Sequence, residues 1–328
     1  MRNTTLTTTL RERISTVIVG LVLISAIVLT GCDIPTKRDT GSRADTVDPV
    51  ATTVAAGSVS VTPGTTSAAP VGPTLVTYVD AESVFREGRY AEAAVLFSSY
   101  VELKPENPFG HYMLGLSAWK AGDHARAEQA LKRAIALDPS HVKSYLNLSR
   151  VLLGTDRPLE ALEQLDTALT LDSTSNVVYR LRGRALADLG HVDAATDAYR
   201  RALVLDQDDV WSMNNLGLLF IEQGWYDEAL YPLARAVELD STQVTFLNNL
   251  GMALEHTGRF TQAAEVYRRA TVAGATHVRA AANFARVDGR ENNPLVEPAD
   301  FGLLAAEFVR QVEGWREWDA TVVGVREP

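Results

Sequence analysis

A step of 34 residues recurs along most of this sequence, and it constrains the fold more than any other feature. Three columns of mostly small residues keep this step. The first is Ala93, Ala127, Ala161, Ala195, Ala229 and Ala263; the second is Gly115, Ser149, Gly183, Gly217 and Gly251; the third is Gly88, Gly122, Asp156, Gly190, Gly224 and Gly258. A fixed step of this length indicates a stack of similar units in which each unit packs mainly on its neighbours.

The residue types in these columns predict two antiparallel helices in every unit. Two helices approach closely only where side chains are small, which explains the alanine column and the first glycine column. The other glycine column lies where one helix ends and the chain turns, because glycine adopts the backbone conformation that follows a helix. Pro105 and Pro139 follow the second helix of their units, since proline has no N–H group with which to continue a helix.

This pattern resembles the tetratricopeptide repeat, a helix–turn–helix unit of the same length, over about residues 74–277. The resemblance implies an all-α fold, a right-handed superhelical solenoid of six units. Departures are local: Ala81 stands where the opening helix of the first unit should have glycine, and only Pro105 and Pro139 keep the proline at the end of a unit. We therefore expect the helix boundaries to differ in single units, whereas the fold stays the same.

Residues 278–328 are predicted to close the solenoid. Residues 278–287 have the pattern of one further opening helix, a cap, and residues 289–298 form a loop. A terminal helix follows, with an apolar face at spacings of three and four that consists of Phe301, Leu304, Phe308, Val312 and Trp315. We expect this helix to cover the exposed end of the stack. The alternatives are that it docks a partner or folds back into the protein's own groove.

The N-terminal residues 1–31 have the order of a secretory signal. Three arginines precede an apolar run from about Val17 to Val28. The run ends in Leu-Thr-Gly-Cys, which resembles the lipobox of bacterial lipoproteins, and the resemblance implies cleavage before Cys32 and a lipid on its thiol. The alternative is an uncleaved signal anchor with an incidental cysteine, since about 17 apolar residues suffice to span a bilayer. Both interpretations place the folded body outside the cytoplasm.

Residues 32–73 are predicted to be a disordered tether. After the cysteine this stretch is dominated by Thr, Ser, Ala, Val, Gly and Pro without any aromatic residue, so it cannot bury enough apolar area to fold. Asp33 resembles the signal that retains enterobacterial lipoproteins in the inner membrane. We therefore expect a protein that is lipid-anchored in the cell envelope, faces the periplasm or the exterior, and favours the inner over the outer membrane.

In the repeat that this sequence resembles, the first helix of every unit lines a concave groove. The resemblance places there an asparagine column, Asn147, Asn215, Asn249 and Asn283, together with the neighbouring Asn214 and Asn248. The column is similar to the asparagine ladder in the repeat domain of O-GlcNAc transferase, which implies binding of peptide backbones by amides that both donate and accept. The alternative is that each asparagine bonds to a neighbouring helix and fixes the superhelix.

Other positions of the groove carry the basic residues Lys143, Arg150, Arg180 and Arg184. They predict a preference for acidic segments or C-terminal carboxylates, because guanidinium groups pair with carboxylates through two parallel hydrogen bonds. The alternative is that these charges belong to ordinary solvated helix faces. Trp211 is a candidate aromatic anchor for a partner, although an aromatic side chain at helical spacing also suits packing between units.

Composition and motifs argue against other classes of function. The formal net charge is −10, and nucleic-acid binding needs a clustered cationic surface. Cys32 is the only cysteine, so no internal disulfide and no thiolate metal site can form. The histidines are scattered, and neither a Gly-rich phosphate loop nor a Gly-x-Ser-x-Gly elbow occurs. We therefore predict no catalytic activity, cofactor, metal or small-molecule substrate.

Two functions remain open at this point. The first is a membrane-anchored adaptor that binds peptides or proteins in its groove, for the assembly or function of a cell-envelope complex. The alternative is a constitutive structural subunit of such a complex, in secretion, pilus or cell-wall machinery, with no exchangeable ligand.

Overall fold

The computed structural model describes residues 77–274 and 278–324, with side chains as far as Asp319. The predicted signal peptide, Cys32 and the tether lie outside the described residues. All regular secondary structure in these residues is helical, and none of their helices combines the length and apolarity needed to cross a membrane. The helices are α1 (Tyr78–Arg86), α2 (Tyr90–Leu103), α3 (Pro108–Lys120), α4 (His124–Leu137), α5 (Val142–Gly154), α6 (Pro158–Leu171), α7 (Asn176–Asp188), α8 (Val192–Leu205), α9 (Val210–Glu222), α10 (Tyr226–Leu239), α11 (Val244–His256), α12 (Phe260–Ala273), α13 (Val278–Val287) and α14 (Phe301–Gly324).

Helices α1 to α12 form six helical hairpins, which agrees with the predicted six units. In every hairpin an odd-numbered first helix packs against the even-numbered second helix that follows it. Each first helix also contacts the first helix of the next unit, whereas in the described part of the chain no second helix of a unit contacts that of another unit. The first helices are therefore crowded on the inner side of the stack, and the second helices are spread on its outer side.

Capping residues and turns explain where the helices begin and end. The Thr77 hydroxyl accepts the N–H of Asp80 and the Asp80 carboxylate accepts the N–H of Thr77, so α1 starts with a reciprocal cap. Asn107 caps α3 in front of Pro108. Five of the six turns within hairpins contain a glycine with φ between +77° and +83°, whereas Asp156 takes this place in the third unit with φ +57°. A side chain is disfavoured in this conformation, so the third turn is strained.

The glycine column inside the first helices lies where the two helices of a unit touch. A Cβ atom added to Gly251 would be 2.5 Å from Tyr267 Cε1, and one added to Gly217 would be 2.4 Å from Leu233 Cγ. Tyr267 and Leu233 are fully buried. A larger residue would therefore force the second helix outward, which is the reason the sequence keeps glycine there.

Two apolar clusters form the core of the repeats. One cluster contains buried residues from Ala81 to Ala185, and the other contains residues from Leu186 to Val312. The clusters meet within α7, the first helix of the fourth unit. The contacts between α7 and α9 therefore lie at a junction in the core.

The segment after the sixth unit first caps the stack and then turns back. Helix α13 packs on α11 and α12, as predicted for a capping helix. Residues 288–300, here named the C-terminal strap, then cross the start of α12. Gln262 and Ala299 form two hydrogen bonds of 2.8 Å, and the Asn293 N–H donates to the Gly258 carbonyl at 2.9 Å. These bonds direct the chain toward earlier units.

Helix α14 lies against α10 and α8, on the outer side of the fifth and fourth units. Its apolar face inserts Ala305, Phe308 and Val312 among buried residues, and Asp319 forms an ion pair with Arg201 of α8. The prediction that the terminal helix covers the exposed end of the stack is therefore wrong. The periodicity identified the apolar face of this helix, but the strap decides where that face is buried.

Candidate functional site

The helices α3, α5, α7, α9, α11 and α13 form a continuous surface, here named the inner face. It carries all the residues that the sequence predicted for ligand binding. Apart from Asn147 and Trp211, their side chains fall into three groups: a chain of asparagine amides in the last units, two arginines near carboxylates in the fourth unit, and a basic and aromatic surface in the second and third units.

The asparagines of the last units are hydrogen-bonded to one another. Asn283 Nδ2 donates to Asn248 Oδ1 at 2.9 Å, and Asn249 Nδ2 donates to Asn214 Oδ1 at 2.8 Å. Longer contacts of 3.5 Å and 3.3 Å join Asn248 to Asn249 and Asn214 to Asn215. All five are buried except Asn283, which is half-buried. The amides thus link α13 to α11 and α11 to α9.

Asn147 of the third unit also bonds within the stack. Its Nδ2 donates to the Tyr112 hydroxyl at 3.3 Å and to the Lys143 carbonyl at 3.0 Å, and its Oδ1 accepts from Arg150 Nη1 at 2.8 Å. The geometry therefore supports the interpretation in which the asparagines fix the superhelix. A role of these amides in gripping a peptide stays a prediction.

A constant register explains where the amide chain ends. Three bonds join residues 35 positions apart: Asn147 to Tyr112, Asn249 to Asn214, and Asn283 to Asn248. The residue 35 positions before Asn215 is Arg180, whose guanidinium has only donors. Asn215 Nδ2 consequently has no hydrogen-bond acceptor among the described residues, although it is buried.

Arg180 and Arg184 of the fourth unit lie near carboxylates of this chain. Arg180 Nη1 donates to Asp209 Oδ1 at 2.6 Å, and both side chains are buried. Asp209 also accepts from the Ser212 hydroxyl at 2.7 Å and caps α9. Arg184 Nε lies 3.9 Å from Asp188 of the same helix. The predicted positive charge of the groove is therefore largely balanced by carboxylates in this unit.

The second and third units carry an accessible basic surface. We name it the basic–aromatic strip, and its members on α3 and α5 are Phe109, Tyr112, Trp119, Lys120, Lys143 and Arg150. Phe109 is 54% exposed and Lys143 is also exposed. The Tyr112 ring packs edge-on against His141 at 4.8 Å, and burial raises the pKa of the Tyr112 hydroxyl. The strip combines an exposed ring with cations, which suits a protein partner.

Lys120 and Arg150 meet over aromatic rings within the strip. Lys120 Nζ lies 5.1 Å from the ring centroid of Tyr90 and 5.5 Å from that of Trp119. Arg150 Cζ lies 5.9 Å from the ring centroid of Trp119. Burial lowers the pKa of Lys120, and the nearby Arg150 charge lowers it further. Sequence reasoning missed Lys120, although its place directly after Trp119 in the last turn of α3 was a usable signal.

Trp211, the predicted aromatic anchor, is half-buried on α9. Its ring packs edge-on against the buried ring of Phe246 with a centroid distance of 4.9 Å. This contact supports its alternative role in packing between units.

No cluster of three or more His, Cys, Asp or Glu side chains that could hold a metal ion occurs in residues 77–274 and 278–324.

Comparisons with known families and proteins agree with this architecture. Residues 112–176 and 233–278 match a family model described as tetratricopeptide repeat, and residues 183–224 match a model described as TPR repeat. A relative from Salmonella typhimurium, cellulose synthase operon protein C, is 32% identical over 104 residues, which make up 32% of this chain and 9% of the relative. The chain thus spans less than a tenth of the length of that relative.

Solved structures of other proteins share the fold. The APC/C hetero-tetramer Cut9–Hcn1 aligns with a TM-score of 0.57 and 17% identity over 63% of this chain and 41% of that one. PilW, a type IV pilus biogenesis factor, aligns with a TM-score of 0.56 and 17% identity over 62% of this chain and 94% of that one. A TPR protein of Thermus thermophilus gives 0.51 and 18% over 55% and 98%. At these identities the likeness establishes the fold alone.

Proposed function

Because the chain is a tetratricopeptide-repeat protein, we propose that it is an adaptor that binds a segment of another protein on the basic–aromatic strip of its inner face. It is not an enzyme and uses no cofactor. A lipid on Cys32 anchors it in the cell envelope, with the repeats facing the periplasm or the exterior, and Asp33 favours the inner membrane. The adaptor serves the assembly or function of a cell-envelope complex.

The observation that carries this proposal is the accessibility of the strip. The other predicted ligand residues of the inner face bond within the stack, lie near carboxylates of the chain or, as Trp211 does, pack on a buried ring, whereas Phe109 and Lys143 are exposed. An inner helix face that carries both an exposed ring and an exposed cation is an arrangement that a partner segment can cover. PilW, which has a similar fold, is described as a pilus biogenesis factor, and this agrees with an envelope role.

Site-specific photo-crosslinking tests the binding surface in the native membrane. A photo-reactive benzophenone amino acid replaces Phe109 in the full-length protein, and a matched variant carries it at Leu159 of α6, which is 65% exposed on the outer side. We expect a discrete crosslinked partner from position 109 and none from position 159. Equal labelling from both positions, or none from either, would show that the strip is not a binding surface.

The same crosslinks separate the adaptor from the constitutive subunit. An adaptor releases its partner, so the crosslinked product should decrease when an excess of unmodified protein competes for the partner. A product that persists under competition indicates a permanent subunit of one complex.

Metabolic labelling with an alkyne-tagged fatty acid tests the anchor. We expect incorporation into the wild-type protein and none into the Cys32→Ser variant, with a mature chain that begins at residue 32. An unlabelled wild-type protein that keeps residues 1–31 would instead support the signal anchor.

A further inference from the structure

Lys120 is a cation that pairs with no carboxylate of the described residues, although the protein is acidic overall. The full chain carries a formal charge of −10, and most lysines and arginines on the outer side form ion pairs, such as Lys132 with Glu128 at 2.6 Å. In the part of the chain that the structure describes, no carboxylate forms an ion pair with Lys120. A partly buried ammonium group is costly to desolvate, so its position calls for a counter-charge.

A second positive charge lies beside it. The Arg150 guanidinium stands over the same Trp119 ring as the Lys120 ammonium, at 5.9 Å and 5.5 Å from the centroid. One nitrogen of Arg150 is used by Asn147 Oδ1 at 2.8 Å, which fixes the direction of the guanidinium. Two like charges held on one ring repel each other, and an anion between them would relieve that repulsion.

The surrounding rings restrict the shape of the ligand. Tyr90, from the second helix of the first unit, and Trp119 flank the Lys120 ammonium group with apolar ring surface. Lys143 continues the positive surface on α5 and is exposed. The arrangement suits a carboxylate with apolar neighbours in a polypeptide that runs along α3 and α5.

We propose that Lys120, Arg150, Trp119 and Tyr90 form an anion-binding subsite that takes a carboxylate from an acidic segment of a partner protein. This inference rests on the proposed function, because it names the chemistry of the segment that the strip binds. The predicted preference for acidic segments is therefore assigned to this subsite. It is not assigned to Arg180 and Arg184, which already lie near Asp209 and Asp188. The subsite thus lies at the N-terminal end of the stack.

Fluorescence anisotropy with two short labelled peptides tests the subsite. In one peptide glutamate alternates with alanine, and in the other glutamine replaces every glutamate; the protein is the full chain in uncharged detergent micelles. We expect the glutamate peptide to bind about tenfold more tightly than the glutamine peptide, since a hydrogen bond to a charged group contributes about 1.5 kcal/mol or more. Equal affinities, or no binding of either peptide, overturn the inference.

Three variants locate the effect. Lys120→Gln and Arg150→Gln should each weaken binding of the glutamate peptide about tenfold without changing the affinity for the glutamine peptide. Lys132→Gln removes the same charge from α4 on the outer side and should leave both affinities unchanged. A weakening by Lys132→Gln equal to that by Lys120→Gln would overturn the subsite, because the preference would then come from overall charge.

The outcome is separable from that of the proposed function. Crosslinking from position 109 does not depend on charge, so a partner that crosslinks there while the two peptides bind equally refutes the anion subsite alone. The comparison of the two peptides uses the wild-type protein, and it therefore decides the inference even if one variant fails to fold.

Discussion

The substitution Asp209→Ala examines the ion pair at the junction of the two apolar clusters. The Asp209 carboxylate accepts from Arg180 Nη1 at 2.6 Å and from Asn176 Nδ2 at 3.3 Å, and both donors belong to α7. It also accepts the Ser212 N–H at 3.3 Å as the cap of α9. One buried carboxylate therefore fastens α9 to α7 and starts α9.

The expected loss follows from these two roles. Removing one partner of a buried ion pair costs about 3–5 kcal/mol, since the other charge loses its counter-charge in a poorly solvated place. Loss of a helix cap contributes about 1 kcal/mol. We therefore expect Asp209→Ala to lower the free energy of unfolding by about 4–6 kcal/mol. Because the damage lies between the two clusters, unfolding should also split into two transitions.

Asp123→Ala is the matched control. Asp123 caps α4 by accepting the Arg126 N–H at 3.1 Å, and it pairs with the Arg126 side chain at 3.4 Å where both are about half exposed. Its loss should cost only about 1 kcal/mol, because a surface ion pair contributes little. Urea unfolding of the full chain, followed by circular dichroism, measures both variants. Equal losses would refute the reasoning, since the buried pair would then contribute nothing beyond the cap.

Three further predictions concern stability. Gly251→Ala should destabilise the protein by about 1–3 kcal/mol because its Cβ meets the Tyr267 ring, whereas Gly314→Ala, with nothing within 4 Å, should stabilise it by up to about 1 kcal/mol; thermal melting compares them. Hydrogen bonds from Arg157 and then Lys132 lower the pKa of Glu128 from 4.5 to about 2. The stabilisation is therefore complete above pH 4.5 and is lost as the pH falls toward about 2, so Glu128→Gln should flatten the acid limb of the stability curve in that window. Asn249→Ala should cost about 1–3 kcal/mol by leaving Asn214 Oδ1 without its donor, yet leave crosslinking from position 109 unchanged; a lost crosslink would return the asparagines to the binding surface.

The sequence predicted the hairpins well because their spacing is a local property. Helix contact demands a small residue at one position in every unit, and Gly183, Gly217 and Gly251 meet Tyr199, Leu233 and Tyr267 there. The capping helix α13 has the predicted bounds for the same reason, since it repeats the pattern of an opening helix. Local packing rules thus suffice for the units and their number.

The candidate site was harder to predict because it depends on how neighbouring units are offset. The asparagine column was visible, but only the register of 35 positions reveals that Asn249 bonds to Asn214 and that the position corresponding to Asn215 is an arginine, Arg180. Arg180 forms an ion pair with Asp209, a cap of the next unit, and no periodicity within one helix indicates this pair. Likewise, the apolar face of α14 indicates that this helix packs against others, but it does not indicate against which ones.

The C-terminal strap limits how far the array is modular. A chain of identical hairpins can gain or lose a copy wherever neighbour contacts are restored. Here α14 needs α8 and α10 as its seat, and the strap needs the start of α12 as its support, so the last three hairpins form a block whose copy number is fixed. Duplication or deletion of a whole repeat should therefore be tolerated among the first three units. The inner face can be lengthened only at this N-terminal end of the stack.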